Sequence, residues 1–228
     1  MKKIEIEKHI KDYKNKYKNE RCFIVGNGPS LNKTNLNLLK NEYTFALNQI
    51  NLLYDKYEWR PSVYCSFSNR KEKKWRDNIL YNINTLNIPI FLCEDYKGII
   101  KNEEKINFIK TIGTDKCDFN DSTQFHTNIE EYVTKHGSTL LSVLEVAIYM
   151  GFKEIYFIGT DLGYDKNETH FDKNYLDLTN PSRYNTNIIN THKLILNNIS
   201  KYNVKIYNAT IGGELELYER VKYNDLFK

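Results

Sequence analysis

Short, continuous apolar runs recur along the chain, and stretches of helical periodicity lie between several of them. Runs at 22–25, 43–47, 63–67, 88–93, 155–158 and 204–207 are too short for helices and too uniformly apolar for strands with one wet face, so they predict strands buried on both sides. Their alternation with helical segments predicts an α/β fold, a single Rossmann-like domain over residues 1–228. Its sheet is mostly parallel, with helices on both faces. The clearest helix is 138–150, "STLLSVLEVAIYM", with Ser138 able to cap its start and Gly151 to close its end. Residues 1–20 alternate Lys with Tyr and Ile at helical spacing and predict an N-terminal amphipathic helix. Residues 162–190, after the fifth predicted strand, show no apolar periodicity and are long for a connection, which predicts a lid or binding loop.

Composition narrows the class. The 228 residues are 40% hydrophobic, enough for one substantial core. A net charge of +4 arises from 33 basic against 29 acidic residues of interspersed sign, which is no nucleic-acid signature. The basic run "KHIKDYKNKYKNER" reads as a solvated helix face, with contact to a membrane surface as the sharper alternative. Cys22, Cys65, Cys93 and Cys117 lack metal-ligand spacing and read as small core residues in a reducing compartment. No apolar run approaches the roughly 18 residues of a membrane span, and the first residues lack the apolar segment of a signal peptide. The expectation is a cytoplasmic protein, with the inner membrane face as a peripheral location. A homo-oligomer is left open.

In an open parallel sheet, ligands bind beyond the carboxyl ends of the strands. Residues just past the predicted strands therefore form the candidate site: Gly26, Asn27, Gly28, Pro29 and Ser30, then Asn48, Ser66 with Ser68, and Thr160 with Asp161. Singly each is a turn or cap residue; together they make a polar rim on one edge. The turn "GNGPSL" is no Walker loop, because no Gly-Lys-Ser/Thr follows, and no dinucleotide fingerprint, because Leu31 stands where a third Gly belongs. Its glycines would let backbone amides approach phosphate or ribose oxygens, with a helix start near Ser30 behind them. Asp161 reads as a cap, a sugar ligand or a magnesium ligand, and as a lone carboxylate it is weak support for a metal.

Three stretches carry a resemblance: "CFIVGNGPSLNKTNLNLLKNEYTFALNQI", "GSTLLSVLEVAIYMGFKEIYFIGTDLGY" and "KIYNATIGGELELYERVKYNDLF". Together they resemble the surface-glycan branch of the 6-hydroxymethylpterin diphosphokinase-like (DUF115) family and, more distantly, the bacterial sialyltransferases of glycosyltransferase family 42. The resemblance implies that the GNGPSL turn and Asn48 hold a cytidine nucleotide, that Ser138 faces it, and that Tyr164 bonds its phosphate. It implies a CMP-sugar donor, a glycan acceptor in lipopolysaccharide or capsule synthesis, no bound cofactor and no metal. Thr186 stands where the sialyltransferases carry a general-base His. His170, within "YDKNETHFD", is the replacement, since its ordinary pKa suits proton transfer near neutrality, and His192 is the runner-up. The expected activity is transfer of a sugar such as sialic acid from CMP. The alternatives are a magnesium- and ATP-dependent diphosphokinase and a non-catalytic nucleotide-binding protein.

Overall fold

The computed structural model describes residues 1–68, 70, 72–100, 105–113, 117–135, 138–163, 169–175 and 181–228, with the backbone alone for 181–185. Eight strands form one parallel sheet: β1 (Arg21–Val25), β2 (Tyr43–Leu47), β3 (Val63–Ser66), β4 (Ile90–Cys93), β5 (Ile106–Ile109), β8 (Glu154–Ile158), β9 (Lys205–Asn208) and β10 (Glu219–Arg220). Their order is β10-β9-β8-β1-β2-β3-β4-β5. Two further short strands, β6 (Thr111–Ile112) and β7 (Val133–Thr134), pair with each other. The helices are α1 (Lys73–Thr85), α2 (Thr139–Tyr149) and α3 (Pro181–Ile199).

This order explains why helices cover both faces. From β1 to β5 the chain steps one way, with α1 in the β3-to-β4 crossover. It then returns through α2 to the other side of β1 and steps the opposite way through α3. Right-handed crossovers therefore put α1 on one face and α2 and α3 on the other. The direction reverses between β1 and β8, so a crevice opens at their carboxyl ends. All six predicted strands are present, and β1 and β8 are buried at every position but the first. Helix α2, buried along residues 140–149, lies across β1 and β2, and the Ser138 hydroxyl accepts the Leu140 N–H as its cap. The four cysteines are free and buried.

Two expectations are corrected. Residues 1–20 hold no amphipathic helix, only a 3-10 turn at Ile10–Tyr13, and the membrane-surface alternative loses the helix on which it rested. The cause lies in where the backbone bonds go. Asn15 and Asn19 adopt left-handed conformations that stop a helix, and the N–H groups of Asn15 and Tyr17 donate to the carbonyls of Tyr149 and Met150. The segment caps the end of α2 instead of coiling on itself. The second correction concerns 162–190, because α3 starts at Pro181. Its buried residues Ile188, Thr191, His192, Leu194, Ile195 and Asn198 follow helical spacing, but three of the six are polar and mask the stripe. Among the described residues, no helix is long and apolar enough to cross a membrane.

Candidate functional site

The crevice at the β1/β8 switch point opens into a cleft of about 780 Å³, counted out to open solvent. Of the expected site residues, Gly26, Asn27, Asn48, Ser138, Thr160, His170 and His192 line it. Strand ends place them in order along the sheet edge: Thr160 after β8, Asn27 after β1, Asn48 after β2. The start of α2 supplies Ser138 and Thr139.

Asn27 and Asn48 are aimed by opposite means. The Asn27 side-chain N–H donates to the Leu47 carbonyl at 3.3 Å, which fixes the amide and leaves its Oδ1 buried without a partner. A buried acceptor left open at a cleft costs free energy until a ligand donor fills it. Asn48 sits at φ +50, in the left-handed region. A ring of donors holds it there: Tyr64 hydroxyl to the Asn48 carbonyl at 2.7 Å, Asn82 amide to the same carbonyl at 3.4 Å, and Ser66 hydroxyl to Asn48 Oδ1 at 3.0 Å. With Oδ1 so engaged, Asn48 offers its N–H₂ group to the cleft. Leu162, also on the cleft wall, is a second left-handed residue without being glycine, at φ +57. Such conformations persist where surrounding structure enforces them, and they concentrate at binding sites.

Other expected residues do different work. Ser66 is fully buried and bonds Asn48 rather than facing the cleft. Gly28, Pro29, Ser30 and Asp161 lie outside the cleft lining. The Asp161 carboxylate accepts the Ser30 N–H at 3.0 Å and the Ser30 hydroxyl at 2.8 Å, which fastens the β8 exit to the β1 exit. Burial pushes the Asp161 carboxyl above its ordinary range, and the Ser30 hydrogen bonds only partly oppose this. The glycines serve the same junction. The N–H of Gly26 donates to the Ile158 carbonyl and that of Gly28 to the Gly159 carbonyl, both at 2.8 Å, so neither amide is left for a phosphate. A Cβ on Gly28 would stand 1.8 Å from Asp161 Oδ2, and one on Gly26 would stand 2.4 Å from the Gly159 carbonyl oxygen. Close approach of two turns requires these glycines, not close approach of a ligand.

The two histidines part company. His192 is buried, its Nδ1 lies 2.9 Å from the Tyr218 hydroxyl, and burial pushes its pKa down to about 3. It stays neutral at neutral pH and is a weak proton acceptor. His170 lies flat on Tyr175, rings 3.8 Å apart, with Nδ1 at 2.9 Å from the Thr169 hydroxyl. Its segment is strapped to the β1 turn, because the Phe171 N–H donates to the Asn27 carbonyl and the Phe171 carbonyl accepts from the Asn32 amide at 2.7 Å. Tyr164 lies outside the described residues. Thr186 lies on α3 outside the cleft lining.

Sequence reasoning missed Arg70, Trp75, Thr139, Leu140, Tyr175 and Ile188 on the cleft wall. Arg70 is the cation among the described lining residues, and no carboxylate is among them. A Trp followed by a lid aromatic was the available signal, but only the fold brings Tyr175 edge-on to Trp75, with centroids 6.4 Å apart.

The chain matches the family model described as "MptE-like: 6-hydroxymethylpterin diphosphokinase MptE-like" over residues 1–167. Among solved structures it is similar to the MAf glycosyltransferase from Magnetospirillum magneticum AMB-1, with TM-score 0.58 and 15% identity over 96% of this chain and 38% of that one. It is also similar to the sialyltransferase CstII from Campylobacter jejuni in complex with a substrate analogue, with TM-score 0.43 and 18% identity over 90% of this chain and 85% of that one. At 15% identity the likeness to the MAf glycosyltransferase is one of fold. The chain spans 38% of the length of the MAf glycosyltransferase. No curated protein matches it by sequence.

Proposed function

The chain belongs to the 6-hydroxymethylpterin diphosphokinase MptE-like family, and from that premise we propose that it is a glycosyltransferase that takes a sugar from a CMP-activated donor. The sugar is a nonulosonic acid such as sialic acid, and the acceptor is a surface glycan or its precursor. The observation that carries this reading is the pairing at the switch point of an open acceptor, Asn27 Oδ1, with the Asn48 side-chain N–H₂. Cytosine presents the complementary edge, an exocyclic N–H₂ donor beside ring and carbonyl acceptors.

In this reading the acceptor hydroxyl attacks the anomeric carbon as the bond from that carbon to the phosphate oxygen breaks. The electron pair leaves with CMP, and the hydroxyl proton passes to His170, whose ring is held at the cleft wall by Tyr175 and Thr169. Closing the cleft with the 169–175 strap would exclude water, which otherwise competes as acceptor.

The family description favours a second reading, magnesium-dependent pyrophosphate transfer from ATP. Magnesium is held by one or two carboxylates plus phosphates, and no carboxylate among the described residues lines the cleft. A thermal-shift panel of CMP, CDP, UDP, GDP and ATP, with and without magnesium, separates the two. The expected result is stabilisation by CMP without metal, about 2.7 kcal/mol at 100 times the dissociation constant. Stabilisation by ATP with magnesium and none by CMP would move the assignment to the diphosphokinase.

A further inference from the structure

We propose that Arg70, seated on the face of Trp75, is the residue that binds the anionic group of the substrate. Its guanidinium carbon lies 4.8 Å from the Trp75 ring centroid, within cation–π range. The platform is rigid. Trp75 is 2% exposed, its indole N–H donates to the Tyr96 hydroxyl at 3.1 Å, and that hydroxyl donates to the Ser68 carbonyl at 2.8 Å. Ser68 lines the cleft beside Arg70. A guanidinium already seated over an indole loses little further freedom when it pairs bidentately with two oxygens of an anion.

Charge and position point the same way. Among the described lining residues Arg70 is the cation, and no carboxylate stands against it. The first turn of α2, at Ser138, Thr139 and Leu140, faces the same space with its partially positive end. Arg70 follows β3 and Asn27 follows β1, two strands away and so about 10 Å along the sheet edge. The cleft thus has an amide end and a cationic end. Two oxyanions have the matching chemistry, the donor phosphate and the carboxylate of an acidic sugar. The proposal rests on the nucleotide reading above only for the choice between them.

The test measures binding of inorganic pyrophosphate, CMP, cytidine and N-acetylneuraminate to the wild type, Arg70→Gln and Arg70→Lys by calorimetry, with tryptophan fluorescence as a second readout. Arg70→Gln should weaken anion binding by about 10- to 100-fold, the loss of one charge-assisted contact, and leave cytidine binding unchanged. Arg70→Lys should retain part of the affinity, and anion binding to the wild type should perturb the Trp75 emission. Loss confined to CMP and pyrophosphate assigns Arg70 to the phosphate, whereas loss confined to N-acetylneuraminate assigns it to the carboxylate. Arg70-dependent pyrophosphate binding without CMP binding sustains this proposal and overturns the cytidine reading. Equal binding of every anion by the wild type and Arg70→Gln, or no anion binding by the wild type, overturns it.

Discussion

The Asp161 carboxylate accepts two hydrogen bonds from Ser30, one from its backbone and one from its hydroxyl, across 131 residues of sequence. This pair fastens together the two strand exits between which the cleft opens.

Asp161→Ala should therefore lower stability by about 2–4 kcal/mol, because it strands two donors in a largely buried junction. Ser30→Ala removes one bond and should cost about 1 kcal/mol. Gly28→Ala, whose methyl would collide with the same carboxylate, should cost less in an Asp161→Ala background than alone. Denaturant melts of the four variants check this, and additive costs for Gly28 and Asp161 would break the argument.

Asn48 separates backbone from side-chain requirements. At φ +50 an alanine is strained and a glycine is not, so Asn48→Ala should be less stable than Asn48→Gly by about 1 kcal/mol. Both should bind CMP equally poorly, since both lack the amide. If calorimetry shows either variant binding like the wild type, Asn48 is a turn residue only.

His192 gives a pH dependence whose sign follows from burial. Its folded pKa, about 3, lies below the unfolded value, so its contribution is fully present above pH about 6.5 and is lost as pH falls from there toward 3. Melting temperature should decline through that window, and His192→Gln should flatten the decline by about one proton's worth of slope. An unchanged slope in the variant would show that His192 does not titrate against folding.

Catalysis is expected to depend on His170. His170→Ala should reduce turnover by at least about tenfold, the lower part of the range for general-base loss, with donor affinity nearly intact. Full activity in that variant removes His170 from the role.

The scaffold of the site was legible in the sequence, and its side-chain directions were not. β1, β2, β3, β4 and β8 declare themselves because strands covered on both faces leave continuous apolar runs, and β9 through Val204, Ile206 and Tyr207 around an exposed Lys205. β5, "INFI", was missed because it is a four-residue edge strand following a charged stretch, and β10 because it consists of two charged residues, Arg220 donating to the carbonyls of Thr210, Gly212 and Gly213. Position after a strand pointed to Asn27, Asn48 and Thr160, which line the cleft. The same rule drew in Ser66, Ser30 and Asp161, whose polar groups turn back to hold neighbours, an outcome decided by contacts between residues far apart in sequence. Arg70 follows β3 too, but a basic residue among "NRKEKK" resembles surface charge until Trp75 is seen beneath it.

β1 lies between β2 and β8 and pairs with β8 over its whole length, from Arg21↔Glu154 to Val25↔Ile158. One flat face of β1 is finished later still, where Phe227 stacks on Phe23 and Arg21 reaches the Leu226 carbonyl, 205 residues away. On a ribosome adding about 5–20 residues per second, β8 emerges roughly 7–27 s after β1, and the cover over Phe23 later again. For that interval β1, buried along four of its five residues in the finished fold, has an open hydrogen-bonding edge and a bare aromatic face. Nascent chains of this protein should accordingly be chaperone clients, held until the late segments arrive.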